Sequence, residues 1–296
     1  MHDWNKMNKF KILIPVFNDW VSLEKLLQEI NINIKNIKNV EFECIIINDA
    51  STEKNPIINL PSNIKSIKLI NMKKNKGHAR CNAFGIRYLA KNDQDYEHVI
   101  LMDGDGEDRP QEIKNLVEKA INCNTSIVGK RIKRSEGVIF QLLYHLHKIL
   151  TLISTGKNIN FGNYSCLKRD DIKTLSTKKS LWSSFSGSLK KHILNLDSID
   201  SIRGLRYFGP SQMSLYKLCI HSFSIIAVFK YEVFMRSVIL LIITSYFNTN
   251  TSLSISFFQL LLVFFNLVIY LVSRRENSEE FLNSDLNQES LKTYTH

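Results

Sequence analysis

Asp103, Asp105 and Glu107 alternate with glycines in VILMDGDGEDRPQEI, residues 99–113. Carboxylates spaced i, i+2 on a turn can reach one hard cation, and the glycine between them lets backbone approach a ligand. A cation held this way is commonly shared with substrate phosphates. The same residues also suit an ordinary solvated turn, because Asp and Gly are common turn residues. Position favours chemistry. The apolar run Val99–Met102 reads as a buried strand, and open α/β sheets bind ligands beyond the carboxyl ends of their strands.

Two more acids occupy equivalent places. Lys9–Val16 reads as a basic and apolar strand, followed by Asn18, Asp19 and a helical pattern through Leu23, Leu26, Leu27 and Ile30. Phe42–Ile47 reads as a second strand ending in Asn48-Asp49-Ala50-Ser51-Thr52, and Ile64–Ile70 as a third. Asn75–Arg80 opens a helix carrying Ala83, Ile86 and Leu89, and His98–Met102 is the fourth strand. Alternating strands and helices predict βαβ units and a mostly parallel sheet with flanking helices. Right-handed crossovers then gather Asp19, Asp49, Asp103 and Asp105 along one edge. A carboxylate after the first two strands can hydrogen-bond base or ribose, while a divalent metal bridges Asp and diphosphate. Lys76 and Arg80 at a helix start could meet phosphate or line a solvated helix face.

Composition narrows the class. The chain has 296 residues, 44% of them hydrophobic, with a net charge of +11. Basic excess suits nucleic acid, anionic membrane or phosphorylated substrates. RNP, zinc-finger and basic-region patterns are absent, which argues against nucleic acid. Five cysteines without a CxxC pair argue for reduced thiols and against a zinc site or disulfide framework. The first residues lack a signal-peptide pattern.

At this point the sequence resembles a family-two, GT-A-type glycosyltransferase of the branch that includes dolichol- and polyprenyl-phosphate sugar transferases. The matching pieces are Ile14-Pro15-Val16-Phe17-Asn18-Asp19, Asn48–Thr52, Asn75-Lys76-Gly77 with Ala79, and Asp103-Gly104-Asp105. The resemblance implies a GT-A (Rossmann-like) fold in which Pro15, Asp19, Asp49, Lys76 and Asp103 meet the nucleotide sugar, a GDP- or UDP-sugar. It implies Mg2+ or Mn2+ on Asp103 and Asp105, with Asp105 the more direct ligand and a catalytic residue. Three departures stand out. Asn48 replaces the first Asp of the D-D pair, Ala50 replaces its glycine, and Glu107, a further candidate metal ligand, stands where the branch often has Gln.

The second half fits as well. Val128-Gly129-Lys130-Arg131 is similar to the family's G-x-R, which assigns Arg131 a catalytic place near the acceptor phosphate. Phe161–Leu167, Leu181-Trp182 and Arg203–Ser214 resemble acceptor-side segments, which adds Arg206 and Ser211 as phosphate contacts. Residues 137–154, GVIFQLLYHLHKILTLIS, could lie at a membrane surface or form a buried core helix. No arginine is present there; His145, His147 and Lys148 stand instead.

Residues 255–272 are 18 without a charge, long enough to span hydrocarbon, and Arg274-Arg275 follow as a cytoplasmic stop. Residues 233–250 give a weaker span, with Arg236 near its start able to snorkel to the interface. The expected plan is a glycosyltransferase domain over 1–215, a membrane region over 216–275 holding a transmembrane helical hairpin, and a polar, disordered tail over 276–296.

Together these features predict a multi-pass enzyme of the inner (cytoplasmic) membrane with its catalytic domain on the cytoplasmic side. It would move a sugar, with inversion, from a nucleoside diphosphate to polyprenyl phosphate or another lipid acceptor. A phosphate acceptor is already ionised and needs no base; a sugar hydroxyl on a glycolipid or polysaccharide precursor would need one. Asp170, Asp171, Asp197 and Asp200 are the candidates for that base. A non-catalytic membrane module would have no use for the acidic turn. A nucleotidyltransferase would carry a Gly-rich loop after the first strand. Assembly into a homo-oligomer stays open.

Overall fold

The computed structural model describes residues 7–133, 138–209, 214–247 and 252–296. Eight strands among them form one sheet: β1 (Asn8–Val16), β2 (Val40–Asn48), β3 (Ser66–Met72), β4 (His98–Leu101), β5 (Ser126–Lys133), β6 (Phe161–Lys168), β7 (Leu196–Ile202) and β8 (Gln288–Thr295), in the order β7-β5-β6-β4-β1-β2-β3-β8. β1 runs parallel to β2 and β4, and β2 to β3, while β6 is antiparallel to both β4 and β5. The carboxyl ends of β1, β2, β4 and β5 and the amino end of β6 therefore share one edge. The four strands expected from the sequence are β1 to β4.

The helices are α1 (Trp20–Ile34), α2 (His78–Asn92), α3 (Ile113–Cys123), α4 (Val138–Thr155), α5 (Arg169–Leu175), α6 (Phe185–His192), α7 (Leu215–Ala227), α8 (Lys230–Phe247), α9 (Leu253–Ser273) and α10 (Ser278–Leu282). The central strands are apolar runs because both faces are covered. Ile12 and Ile14 pack with Leu23 and Leu26 of α1 and Leu116 of α3 on one face. Leu13 packs with Ala83 and Phe84 of α2 on the other. Gly85 lets α2 sit against β1, because a Cβ there would lie 2.5 Å from a Leu13 methyl.

The tail is a correction. Residues 276–296 fold instead of staying disordered. Phe281 of α10 is 1% exposed, packs on Trp182 and lies under the Arg87 guanidinium. Arg87 also donates to the Leu282 carbonyl at 2.9 Å. β8 then adds antiparallel to β3, pairing Ser66 with Thr295 through Met72 with Gln288.

α4 is inverted for a soluble helix. Thr151 and Thr155 are buried, while Leu142, Leu146, Ile149 and Ile153 are exposed. It packs on α7 and α8, and α8 and α7 pack on α9. Only α9 and the turn after it are long and apolar enough among the described residues to cross a membrane. The expected second span, α8, carries Lys230, Glu232 and Arg236 in its first turns. Arg236 is exposed. Its guanidinium donates to the Ile153 carbonyl at the carboxyl end of α4, where a cation also meets the negative end of the helix dipole.

Candidate functional site

The site grows from the loops that follow the parallel strands. Asp49, just past β2, is 3% exposed and accepts the backbone N–H groups of Lys76 and Gly77, each at 2.8 Å. Burial raises its pKa, and those two N–H groups pull it back. Asp49 thereby fixes the start of α2 against the end of β2. Gly77 makes the turn at φ +89°, a conformation that suits glycine. Ala50 adopts φ +56°, at a cost of about 1 kcal/mol, where the family pattern has glycine. The Asn18 side chain accepts the Thr52 N–H at 2.8 Å, which ties the β1 loop to the β2 loop.

The acidic turn lies beside them. The Asp103 N–H donates to Asp108 at 2.9 Å, and the Glu107 N–H to Asp105 at 3.0 Å. Burial and the charges of Asp103 and Glu107 push Asp105 up to about 6. Burial and Asp103 push Asp108 up to about 8. Burial also opposes ionisation of Asp103, but His78 and Arg131 hold it well below the usual carboxylate range.

The segment after β7 lies across this turn. Arg206 bridges two strand ends, donating to Asp105 at 2.5 Å and to Asp19 at 2.7 Å. Arg203 engages the Glu107 carboxylate. The Tyr207 N–H donates to the Asp105 carbonyl at 2.9 Å, and its ring packs where a Cβ on Gly106 would stand, 2.6 Å away.

Across from the acids the site is cationic. His78, at the start of α2, places Nε2 3.1 Å from Asp103, and its side chain keeps 44% exposure. Asn163 of β6 donates to Asp103 at 3.1 Å and lies 2.7 Å from His78 Nε2. Arg131 lies over Gly162, where a Cβ would come within 2.5 Å of its guanidinium. His221 of α7 feels the same group. Desolvation, then the charges of His78, His147 and Arg131, push it down to about 4.

The expected residues thus divide. Pro15, Asp19, Asp49, Asp103, Asp105, Glu107, Arg131 and Arg206 collect at one edge. Arg206 contacts Asp19 and Asp105 rather than a separate phosphate position. Lys76 keeps its backbone at Asp49 but turns Nζ to Glu280 of the tail, 2.5 Å away. Arg80 lies over Trp182. Ser211 lies outside the described residues. Glu107 is taken up by Arg203, and among the described residues no three acids, histidines or cysteines gather as a metal cluster. Asp171 accepts from Ser126 and Asp197 pairs with Lys119, at the amino end of β5, and Asp170 neighbours Asp171; these three base candidates lie at the opposite edge. Asp200 is exposed on β7. His78 and Asp108 escaped the sequence reading. Their one signal is adjacency, to the lysine-glycine pair and to the acidic turn.

The sheet and the acidic edge define a GT-A glycosyltransferase. The chain belongs to glycosyl transferase family 2, whose sequence model matches residues 11–184, more than half of its length. It is 26% identical over 172 residues to the undecaprenyl-phosphate 4-deoxy-4-formamido-L-arabinose transferase of Proteus mirabilis, covering 57% of this chain and 50% of that one. The uncharacterized glycosyltransferase YkcC of Bacillus subtilis is 22% identical over 234 residues, 76% of this chain and 69% of that one. The chain spans about half the length of the undecaprenyl-phosphate transferases it matches. Glucosyl-3-phosphoglycerate synthase from Mycobacterium tuberculosis, solved with Mn2+ and UDP-glucose, superposes with a TM-score of 0.51 at 13% identity, over 76% of this chain and 79% of that one. S. aureus TarS 1-349 with UDP-GlcNAc gives 0.50 at 15%, over 81% and 72%. At these identities the structures speak for the fold.

Proposed function

We propose that this glycosyltransferase moves a sugar from a nucleoside diphosphate to a phosphate-bearing lipid, polyprenyl phosphate, at the cytoplasmic face of a membrane. The observation that carries the reading is the split edge: Asp19, Asp49, Asp103 and Asp105 on one side, Arg131, His78 and Asn163 on the other. The acids would hold the nucleotide sugar, with the start of α2 fixed beside them by the Lys76 and Gly77 N–H bonds to Asp49. Arg131, with His78 beside it, would hold the acceptor phosphate. The acceptor oxygen bonds to the anomeric carbon as the bond to the diphosphate breaks, with inversion. Orientation of the two phosphates does much of the catalysis. A phosphate acceptor needs no base, and three of the four candidate bases lie at the far edge of the sheet. That distance weighs against a sugar-hydroxyl acceptor.

The donor set fits a hard divalent cation. Four carboxyls lie within residues 103–108, and two are held above their ordinary values by burial and one another's charge, a repulsion that Mg2+ or Mn2+ relieves. Asp103 and Asp105 would hold it, and when bound it neutralises charge on the departing diphosphate. Arg206 lies between Asp105 and Asp19 and supplies counter-charge to both.

Membrane contact would come from α9, with α8 alongside and the exposed apolar face of α4 below. Exposed Phe257, Leu260, Phe264 and Leu267 suit acyl chains and not water. The test incubates membranes from an overexpressing strain with labelled nucleotide sugars and undecaprenyl phosphate. Acid-labile, mild-alkali-stable lipid-linked label is the expected product. Label only in a larger glycolipid would mean a hydroxyl acceptor, and release of the protein by plain buffer would remove the membrane from the account.

A further inference from the structure

A second cationic recess lies away from the acidic edge, against the base of the helical hairpin. Its volume is about 440 Å³, within the size range of small-ligand sites. The walls come from the 3-10 turn Lys179–Trp182 and the residues before it, the end of α6, the α7–α8 joint and the chain leaving α9. Lys178, Lys179, Lys191, Lys230 and His192 line it, against one acid, Glu276. Glu276 is committed to Lys230 at 3.5 Å and is 6% exposed. Lys191 donates to the Val228 carbonyl at 2.6 Å, which fixes its ammonium at the wall. The remaining positive charge has no acid among the lining residues to balance it. The surroundings register this: burial, then Lys178 and Lys191, hold the His192 imidazole below its ordinary value.

Location narrows the ligand. α8 starts at Lys230 and α9 ends at Ser273, and the two helices pack together as a hairpin. Their two outer ends are therefore neighbours, and the recess opens beside them. Arg274 and Arg275 follow α9 at the same level, and Tyr231 is 72% exposed there. Basic and aromatic side chains at helix ends mark the head-group layer. Lysine ammonium groups bind phosphate as point charges, without the planar geometry that a carboxylate-reading arginine imposes.

We infer that this recess is a binding site for a phosphate-bearing anion at head-group level, separate from the sugar-transfer site. The inference rests on the reading of α9 as membrane-embedded. The anion could be a phospholipid head group or free phosphate, and the experiment separates them.

The full-length protein in a non-ionic detergent would be titrated calorimetrically with dioctanoyl phosphatidylglycerol, dioctanoyl phosphatidylcholine and inorganic phosphate. Saturable binding of phosphatidylglycerol and none of phosphatidylcholine assigns the site to an anionic head group. Equal binding of inorganic phosphate assigns it to the free ion. The substitution K178E should weaken binding about tenfold or more, and K230Q should weaken it less, because it removes one positive charge where K178E reverses one. K114Q on α3, a lysine outside the recess, should leave binding unchanged. Unchanged affinity in both K178E and K230Q, with wild-type melting temperatures, would overturn the site. Vesicle flotation of the same samples tests the membrane reading separately. A protein that binds the anion but does not float keeps the site and loses the membrane.

Discussion

The acidic side and the basic side of the edge, proposed above to take donor and acceptor, are built differently. On the donor side, acids are locked by short-range hydrogen bonds: Asp49 by two N–H groups of the α2 turn, Asp105 by the Glu107 N–H and by Arg206. On the other side Arg131, His78, Asn163 and His221 come from β5, α2, β6 and α7, and of these His78 and Asn163 reach across to Asp103. Preorganised dipoles suit a ligand whose diphosphate is always the same, whereas an open cationic wall suits a partner that arrives from a membrane. Substitutions on the two sides should therefore separate in the kinetics.

The largest effect is expected at Asp105. Asp105→Ala should lower kcat by about a thousandfold or more with membrane association intact; full retained activity would dissolve the distinction. Arg131→Ala comes next, with about a hundredfold loss in kcat/KM for the acceptor and little change in donor KM. Gly162→Ala should mimic it more weakly by displacing the guanidinium. A rise in donor KM instead would move Arg131 to the other side.

Protonation sharpens the contrast. Asp105, at about 6, and Asp108, at about 8, bind protons more tightly in the folded than in the unfolded chain. Carboxyls raised in this way cost stability as pH climbs from about 4 through 8, because ionisation is then harder in the fold. In EDTA the melting temperature should fall over that window, and Mn2+ should raise it more at pH 8 than at pH 5. A flat profile in calorimetry would mean the acids are not close enough to repel. The smallest effect is at Glu280→Gln. Removing the Lys76 partner should raise donor KM about threefold, within the range of a partly exposed ion pair, and leave acceptor KM alone.

The two sides were unequally legible. β1, β2 and β4 are read easily, because strands buried on both faces carry unbroken apolar runs and their acids follow directly in sequence. Lys76, expected at phosphate, ended at Glu280 because the tail folds back, and nothing near Lys76 signals a residue 204 positions away. β8 was invisible for a related reason. QESLKTYT is mostly exposed on an edge, so it has no apolar period and takes its conformation from β3. His78 was passed over as one more polar residue at a helix start. Only the β4–β6 pairing brings Asn163 and Asp103 to it. α8 looked like a span by its apolar centre, while its first turns carry the charge that links it to α4.

The β8 pairing has a topological consequence. The chain preceding α8 and the chain following α9 are strands of a single sheet, with β3 hydrogen-bonded to β8. A loop whose two feet are sewn into one rigid body can pass through a bilayer an even number of times or not at all. α9 lies between those two feet, and α8 is packed against it. The β3–β8 hydrogen bonds, far from either helix, hold both ends of the α8–α9 hairpin in one folded body.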